Sequence, residues 1–411
     1  MASISDFPDE LLLNILSSLP SKDVVATSVL SKRWRSLWTE VKTFRYDGES
    51  IGRTYWKFVL FISKRSSVET MQLKLNPHCT HRDIIPLINI AVARSLRELR
   101  IEMICESFEL PKSFYMFSQL ETVILEKVSL KDVPRDVRWI CLKRLHLLSV
   151  KFTGDESVKK LLSICPILEE LVVKRSSLTN VMIFTIDVPL LRILSIDNTS
   201  GKSRPEGVHG FVINAPSLRC FSIRDSFSNY LQFENMPQLV KARVNVVCDE
   251  PDKFLGSLAS THYLSLCSVT SETPDSYLPT GTSFVYLDHL ELCLCSTEWW
   301  NLLTCILDDA PKLRVLKLKL YRKHSVRYNE AMDQWNQPDY VPMCLSSYLE
   351  IFEWRQYNGE EQETKVAKYI LANASRLKKA TFYSESGEKH GILKELEYMA
   401  RGSKTCKLVF D

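Results

Sequence analysis

Residues 165–173 read CPILEELVV, and the spacing of their apolar letters decides what kind of fold the chain makes. Leu171 and Val173 are separated by one residue, so in an extended segment both side chains point to one face and Val172 points to the other. Leu168, three residues before Leu171, leads into that segment. On the other side, DESVKKLLSICP (155–166) repeats its apolar residues at three or four and ends at Cys-Pro, which reads as a helix that stops where the strand begins. One strand and one returning helix cannot bury their shared apolar face, so the unit needs neighbours.

The neighbours are present. The pattern L-x-x-L-x-L recurs from residue 93 onward as SLRELRI, QLETVIL, CLKRLHL, ILEELVV, LLRILSI, SLRCFSI, QLVKARV, YLDHLEL and KLRVLKL, with a weaker STHYLSL after QLVKARV. The interval is irregular, about 21 to 28 residues, within the range of leucine-rich repeats. STEWWNLLTCILDDAP is a second helix of the returning type. The expected product is an α/β solenoid, with parallel strands on a concave face and helices on the convex one. The units CPILEEL, VPLLRIL, APSLRCF, MPQLVKA and APKLRVL resemble the plant leucine-rich repeat found in F-box proteins, and the likeness spans residues 66–330.

Length and composition set the outer limits. The chain has 411 residues, enough for several domains or one repeat array, and a net charge of +4, too weak for a dedicated nucleic-acid binder without local clustering. Asp6, Asp9 and Glu10 stand where a secretory signal would be basic and then apolar. The most apolar windows, HLELCLC and KFVLFI, are far short of a membrane span. Twelve cysteines without a short-loop framework fit buried thiols in a reducing compartment, hence nucleus or cytoplasm.

Ahead of the repeats, Pro8 suits a first helical turn and Asp9 and Glu10 favour its positive end. Leu11, Leu12, Ile15, Leu16 and Leu19 then form an apolar stripe that Pro20 stops. Ser21 is placed to cap a second helix. Leu30, Trp34, Leu37 and Trp38 lie on one face of a third, with Lys32, Arg33 and Arg35 largely on the other. Three short helices cannot enclose so many leucines, so the stripe expects a partner.

The stretch FPDELLLNILSSLPSKDVVATSVLSKRWRSLW resembles an F-box, the module that binds the Skp-family adaptor, and through it the cullin, of ubiquitin ligases. Phe7 stands where that family usually has leucine. The resemblance implies an adaptor-binding set of Pro8, Glu10, Leu11, Leu12, Ile15 and Leu19, with Leu30, Trp34, Leu37 and Trp38 packing the module internally. The expected domains are F-box 1–45, linker helix 46–65, repeats 66–330, and a final block 331–411. In that block VPMCLSSYLEIFEW, YNGEEQE and YMARGSKTCKLVF resemble the FBD domain of plant F-box proteins, and EEQETKVAKYILANAS reads as a helix. Its expected role is to cap the open end of the array.

No nucleophile elbow, HExxH or phosphate loop is present, so no catalysis and no cofactor are expected. His289, Glu291, Cys293 and Cys295 alternate on one strand face with Cys267 one strand over. Residues two apart on a strand point in parallel and not toward one centre, so no metal site is expected. The expected concave face carries Arg100, Arg144, His146, Lys174, Arg224, Lys241, Arg243, Lys317, Lys319 and Arg355, with Glu98, Glu102, Glu126 and Asp197 in equivalent places. An ordinary mixed-charge face is the favoured reading; an acidic-client surface around Lys241, Arg243, Lys317, Lys319 and Arg355 is the sharper one. The functional expectation is a non-catalytic subunit that recognises an unidentified client protein for an F-box ligase. Alternatives are a receptor that needs a small-molecule ligand and a scaffold without a role in degradation.

Overall fold

The computed structural model describes residues 4–47, 67–76, 81–94, 96–104, 108–131, 133–134, 137, 139–176, 180–200, 207–247, 252–269, 283–295, 299–320, 335–384 and 395–410. The described chain forms two compact units, one running to Leu191 and the other from Arg192 onward, apart from Ser200, which groups with the first.

The first unit opens with helices α1 (Asp9–Ser18), α2 (Ser21–Ala26) and α3 (Lys32–Glu40). A parallel ladder follows: β1 (Thr43–Asp47), β2 (Thr70–Leu75), β3 (Glu98–Met103), β4 (Thr122–Glu126), β5 (Arg144–Leu148) and β6 (Glu170–Lys174), each paired to the next. The ladder therefore begins earlier than expected. Tyr46 and Asp47, assigned above to a linker helix, finish β1 because Phe44 and Tyr46 alternate inward as repeat residues do. The rest of that helix lies outside the described residues. Helices α4 (His81–Ala93) and α5 (Asp155–Ser163) are the long returns of this unit.

The second unit continues in kind with β7 (Ile193–Asn198), β8 (Cys220–Asp225), β9 (Lys241–Val247), β10 (Tyr263–Val269), β11 (His289–Cys293), β12 (Val315–Lys319), β13 (Ile351–Arg355), β14 (Lys379–Tyr383) and β15 (Lys407–Phe410), again parallel in series. Its helices include α6 (Asp252–Leu255), α7 (Trp299–Asp309), α8 (Met343–Ser347) and α9 (Glu361–Asn373). All ten L-x-x-L-x-L units quoted above supply a strand.

Their proline signature has a structural reason. In each of the five proline-marked units the leucine N–H donates to the carbonyl of the residue before proline: Leu168 to Cys165, Leu191 to Val188, Leu218 to Ala215, Leu239 to Met236 and Leu313 to Ala310. Proline supplies the fixed φ that the second position of such a turn wants. The turn then delivers two successive N–H groups to one carbonyl of the preceding unit, as Val240 and Lys241 do to Arg219, and Arg314 and Val315 do to Asp288. Turn, leucine and strand are thus one linked device.

One expectation needs amendment. Helices are not the only returns: Phe108–Glu109, Val128–Leu130 and Lys151–Phe152 form a small parallel sheet in the first unit, and Gly210–Asn214 pairs with Tyr230–Phe233 in the second. Phe211 and Ile213 in GFVIN and Leu231 and Phe233 in YLQF are buried at period two, which suits strands and not helices. Gly210 is required there, since a Cβ would lie 1.7 Å from the Tyr230 carbonyl oxygen.

Candidate functional site

The N-terminal helices enclose a core of Leu12, Leu16, Val24, Trp34, Leu37 and Val41, with Leu13, Leu19 and Trp38 packed against it. That core uses only one side of α1. Leu11 and Ile15, four residues apart on α1 and so on one face, are 49% and 42% exposed, and Phe7, just before the Pro8 cap, is 47% exposed. Ile4, Val29 and Leu30 are exposed as well. A module this small leaves six large apolar side chains in water.

The structure separates the residues that the sequence grouped. Pro8, Glu10, Leu11 and Ile15 face solvent, whereas Leu12 is fully enclosed and Leu19 half-buried. Leu12 is therefore an internal packing residue, because the period of 3.6 turns position 12 toward Trp34 and Leu37 while 11 and 15 turn away. Leu30 moves the other way. It precedes α3, whose first residue is Lys32, and is exposed instead of packing with Trp34. Ser21 does not cap α2; its hydroxyl accepts the Arg45 N–H, and Pro20 holds the cap position. Sequence reasoning missed Arg33, which was placed on the solvated side. Its Nε donates to Asp9 Oδ1 at 2.8 Å and its Nη2 to the Phe7 carbonyl at 2.7 Å, tying α3 to the start of α1 and fixing where Phe7 and Leu11 lie. A basic residue 24 positions from an acid gives no local signal.

In the second unit the strand register brings the other predicted residues together. One row across the open strand face reads Arg243, Ser265, Glu291, Lys317, Glu353, Thr381; the next includes Lys319, Arg355 and Tyr383. Lys319 Nζ donates to Glu291 Oε2 at 2.7 Å, Lys317 Nζ lies 3.6 Å from Glu353 Oε2, and Arg355 Nε donates to Glu353 Oε1 at 2.6 Å. Lys241 and Arg243 lie over the Tyr263 ring at 4.8 and 5.7 Å. His289 and Lys319 beside Glu291 hold its carboxyl well below the usual carboxylate range. The predicted cations are adjacent, but Glu291 and Glu353 compensate three of them. The first unit repeats the theme: Arg100 contacts Glu102 and Glu126, and His146 contacts Glu170; in the second, Arg224 contacts Asp197.

Comparison with known proteins completes the picture. Family models match an F-box domain at residues 4–46, a leucine-rich repeat at 141–166 and an FBD at 337–382. A putative FBD-associated F-box protein of Arabidopsis thaliana is 60% identical over 96% of this chain and 87% of its own length. The chain belongs to the FBD-associated F-box family. A second putative FBD-associated F-box protein from that plant is 48% identical over 99% of both chains, and an F-box/FBD/LRR-repeat protein is 40% identical over 99% of this chain and 98% of its own. In this FBD-associated F-box protein the exposed Leu11–Ile15 face, with Phe7 before it, thus falls inside the F-box, a domain that implies a Skp-type adaptor as partner. The paired cations of β12 lie ahead of the FBD, while Arg355 belongs to it.

Proposed function

We propose that this F-box protein is the non-catalytic client-recognition subunit of an adaptor- and cullin-based ubiquitin ligase, acting in the nucleus or cytoplasm. The observation that carries the reading is the exposed apolar face of α1 inside the F-box, Leu11 and Ile15, together with exposed Phe7 before the helix and Ile4, Val29 and Leu30. Apolar area of this kind on a small helical module is a docking surface. The repeats then hold a client, and the ligase transfers ubiquitin to it. The contribution of this chain to the reaction is proximity, the raised effective concentration of client near the charged carrier.

The charge pattern of the second unit favours a client that competes with Glu291 and Glu353 for Lys317, Lys319 and Arg355 over one attracted by a bare cationic patch. The reading is tested by affinity purification from plant cells under proteasome inhibition, comparing the native chain with Leu11→Asp/Ile15→Asp. The expected result is loss of the adaptor and cullin with retention of other bound proteins, whose half-lives lengthen in cells expressing the variant. Retention of the adaptor by the variant would overturn it.

A further inference from the structure

Cys267, Cys293 and Cys295 bring their three sulfur atoms within 4.8 Å of one another, with Cys267 Sγ and Cys295 Sγ 3.9 Å apart. Strand alternation alone does not predict this. Cys295 lies two residues past the end of β11 at Cys293, outside the span in which strand alternation would hold Cys293 and Cys295 parallel. The reason for expecting no convergence fails at this point.

The location is also unusual for packing cysteines. Leu264, Leu266, Leu290 and Leu292 fill the inward positions of β10 and β11, and Cys267 and Cys293 alternate with them on the outward face. Their register partners there are polar: Asn245 beside Cys267 and Lys319 beside Cys293. Yet all three cysteines are at most 4% exposed, closed over with Leu320 against them. The outward row thus carries a sealed pocket of sulfur among charged and amide groups.

We infer that these three cysteines form a binding site for a soft thiophilic cation of the cuprous type. The metric argument is direct. A metal–sulfur bond of about 2.3 Å places the sulfurs of a three-coordinate site about 4 Å apart, close to the separation the thiols already have. Thiolate sulfur selects monovalent copper and zinc over harder cations. Among the described residues no fourth histidine, cysteine or carboxylate joins the three, so the closed four-ligand set of a structural zinc site is not assembled from them. Binding exchanges thiol protons for the cation: one cuprous ion enters, the coordinating sulfurs lose their protons to solvent, and no electron is transferred. Affinity therefore falls as pH is lowered.

The test is an anaerobic titration of the purified full-length protein with cuprous ion buffered by a chromophoric chelator. The expected result is one tightly held equivalent per chain, with sulfur as the sole coordinating atom by X-ray absorption and weaker retention at lower pH. Cys267→Ser and Cys295→Ser are expected to weaken retention at least tenfold. Cys165→Ser and Cys344→Ser remove buried thiols elsewhere, which donate to the Leu161 and Leu307 carbonyls, and leave retention unchanged. Should the cluster variants misfold, X-ray absorption of the native protein decides: copper must be held by three sulfurs at about 2.3 Å. An equivalent that the chelator strips fully, nitrogen or oxygen coordination, or fewer than three sulfurs around the copper would each overturn the site.

Discussion

Leucines of α1 have opposite duties, and the distinction is measurable. Leu16 is fully enclosed among Trp34, Leu37 and Val24, and Leu11 is 49% exposed on the other side. Leu16→Ala removes buried methyl groups and leaves a cavity, with an expected cost of about 2–5 kcal/mol. Leu11→Ala is expected to change stability by less than about 0.5 kcal/mol and to weaken adaptor binding. Chemical denaturation of the two variants checks the first statement, and a binding titration the second. The sequence showed an apolar stripe too wide for its neighbours, but not which leucine faces which way. Leu30 falls outside the packed face because α3 starts only at Lys32, and Leu12 falls inside it because the apolar stripe of α1 covers both its inner and its outer face. Arg33 was illegible for another reason: its partners Asp9 and Phe7 are near it only after folding.

At the scale of the element, strands β3 to β12 were legible because each is announced by the repeat spacing, and five of them by a proline turn, whereas β1, built on Phe44 and Tyr46, was not. What was not legible is how some strands end. Lys127 and Ser149 adopt left-handed φ values of 56° immediately after β4 and β5, and their N–H groups donate to Leu148 and Lys174 carbonyls. Glycine would advertise such a turn, and neither residue is glycine. Ser149→Gly is therefore expected to raise stability by up to about 1 kcal/mol, since left-handed backbone is costly for any residue with a Cβ; thermal unfolding measures it. The FBD helix α9 carries a second element-scale prediction. Glu363 forms a capping box with Glu360 and accepts N–H groups from Asn358 and Gly359 at 2.9 and 3.0 Å. Burial pushes its carboxyl up to about 7 from 4.5, against the pull of those donors. A carboxyl whose folded pKa is raised binds its proton more tightly when folded. Its contribution is fully present below pH 4.5 and is lost as pH rises through 7. Melting temperature should fall across that window in the native chain, and Glu363→Gln should flatten this component of the fall. A profile unchanged by the substitution would contradict it.

At the scale of the whole molecule, the domain order F-box, repeats, FBD was readable because each segment carries its own dense pattern. The character of the strand face was readable only as a list of alternating charges. Pairing Lys319 with Glu291 and Lys317 with Glu353 requires the register between strands, which a sequence of irregular repeat lengths does not supply. The convergence of Cys267, Cys293 and Cys295 depends on that register in the same way. Among the described residues no helix is long and apolar enough to cross a membrane. The two units nonetheless divide the proposed work clearly, with the adaptor face in the first and the FBD in the second. The most direct test of the central proposal is the affinity of the purified chain for a purified Skp-family adaptor, measured by calorimetry for the native protein and for Leu11→Asp/Ile15→Asp, with melting temperatures recorded in parallel. The account predicts binding weakened at least a hundredfold at an unchanged melting temperature; unchanged affinity in the folded variant would contradict it.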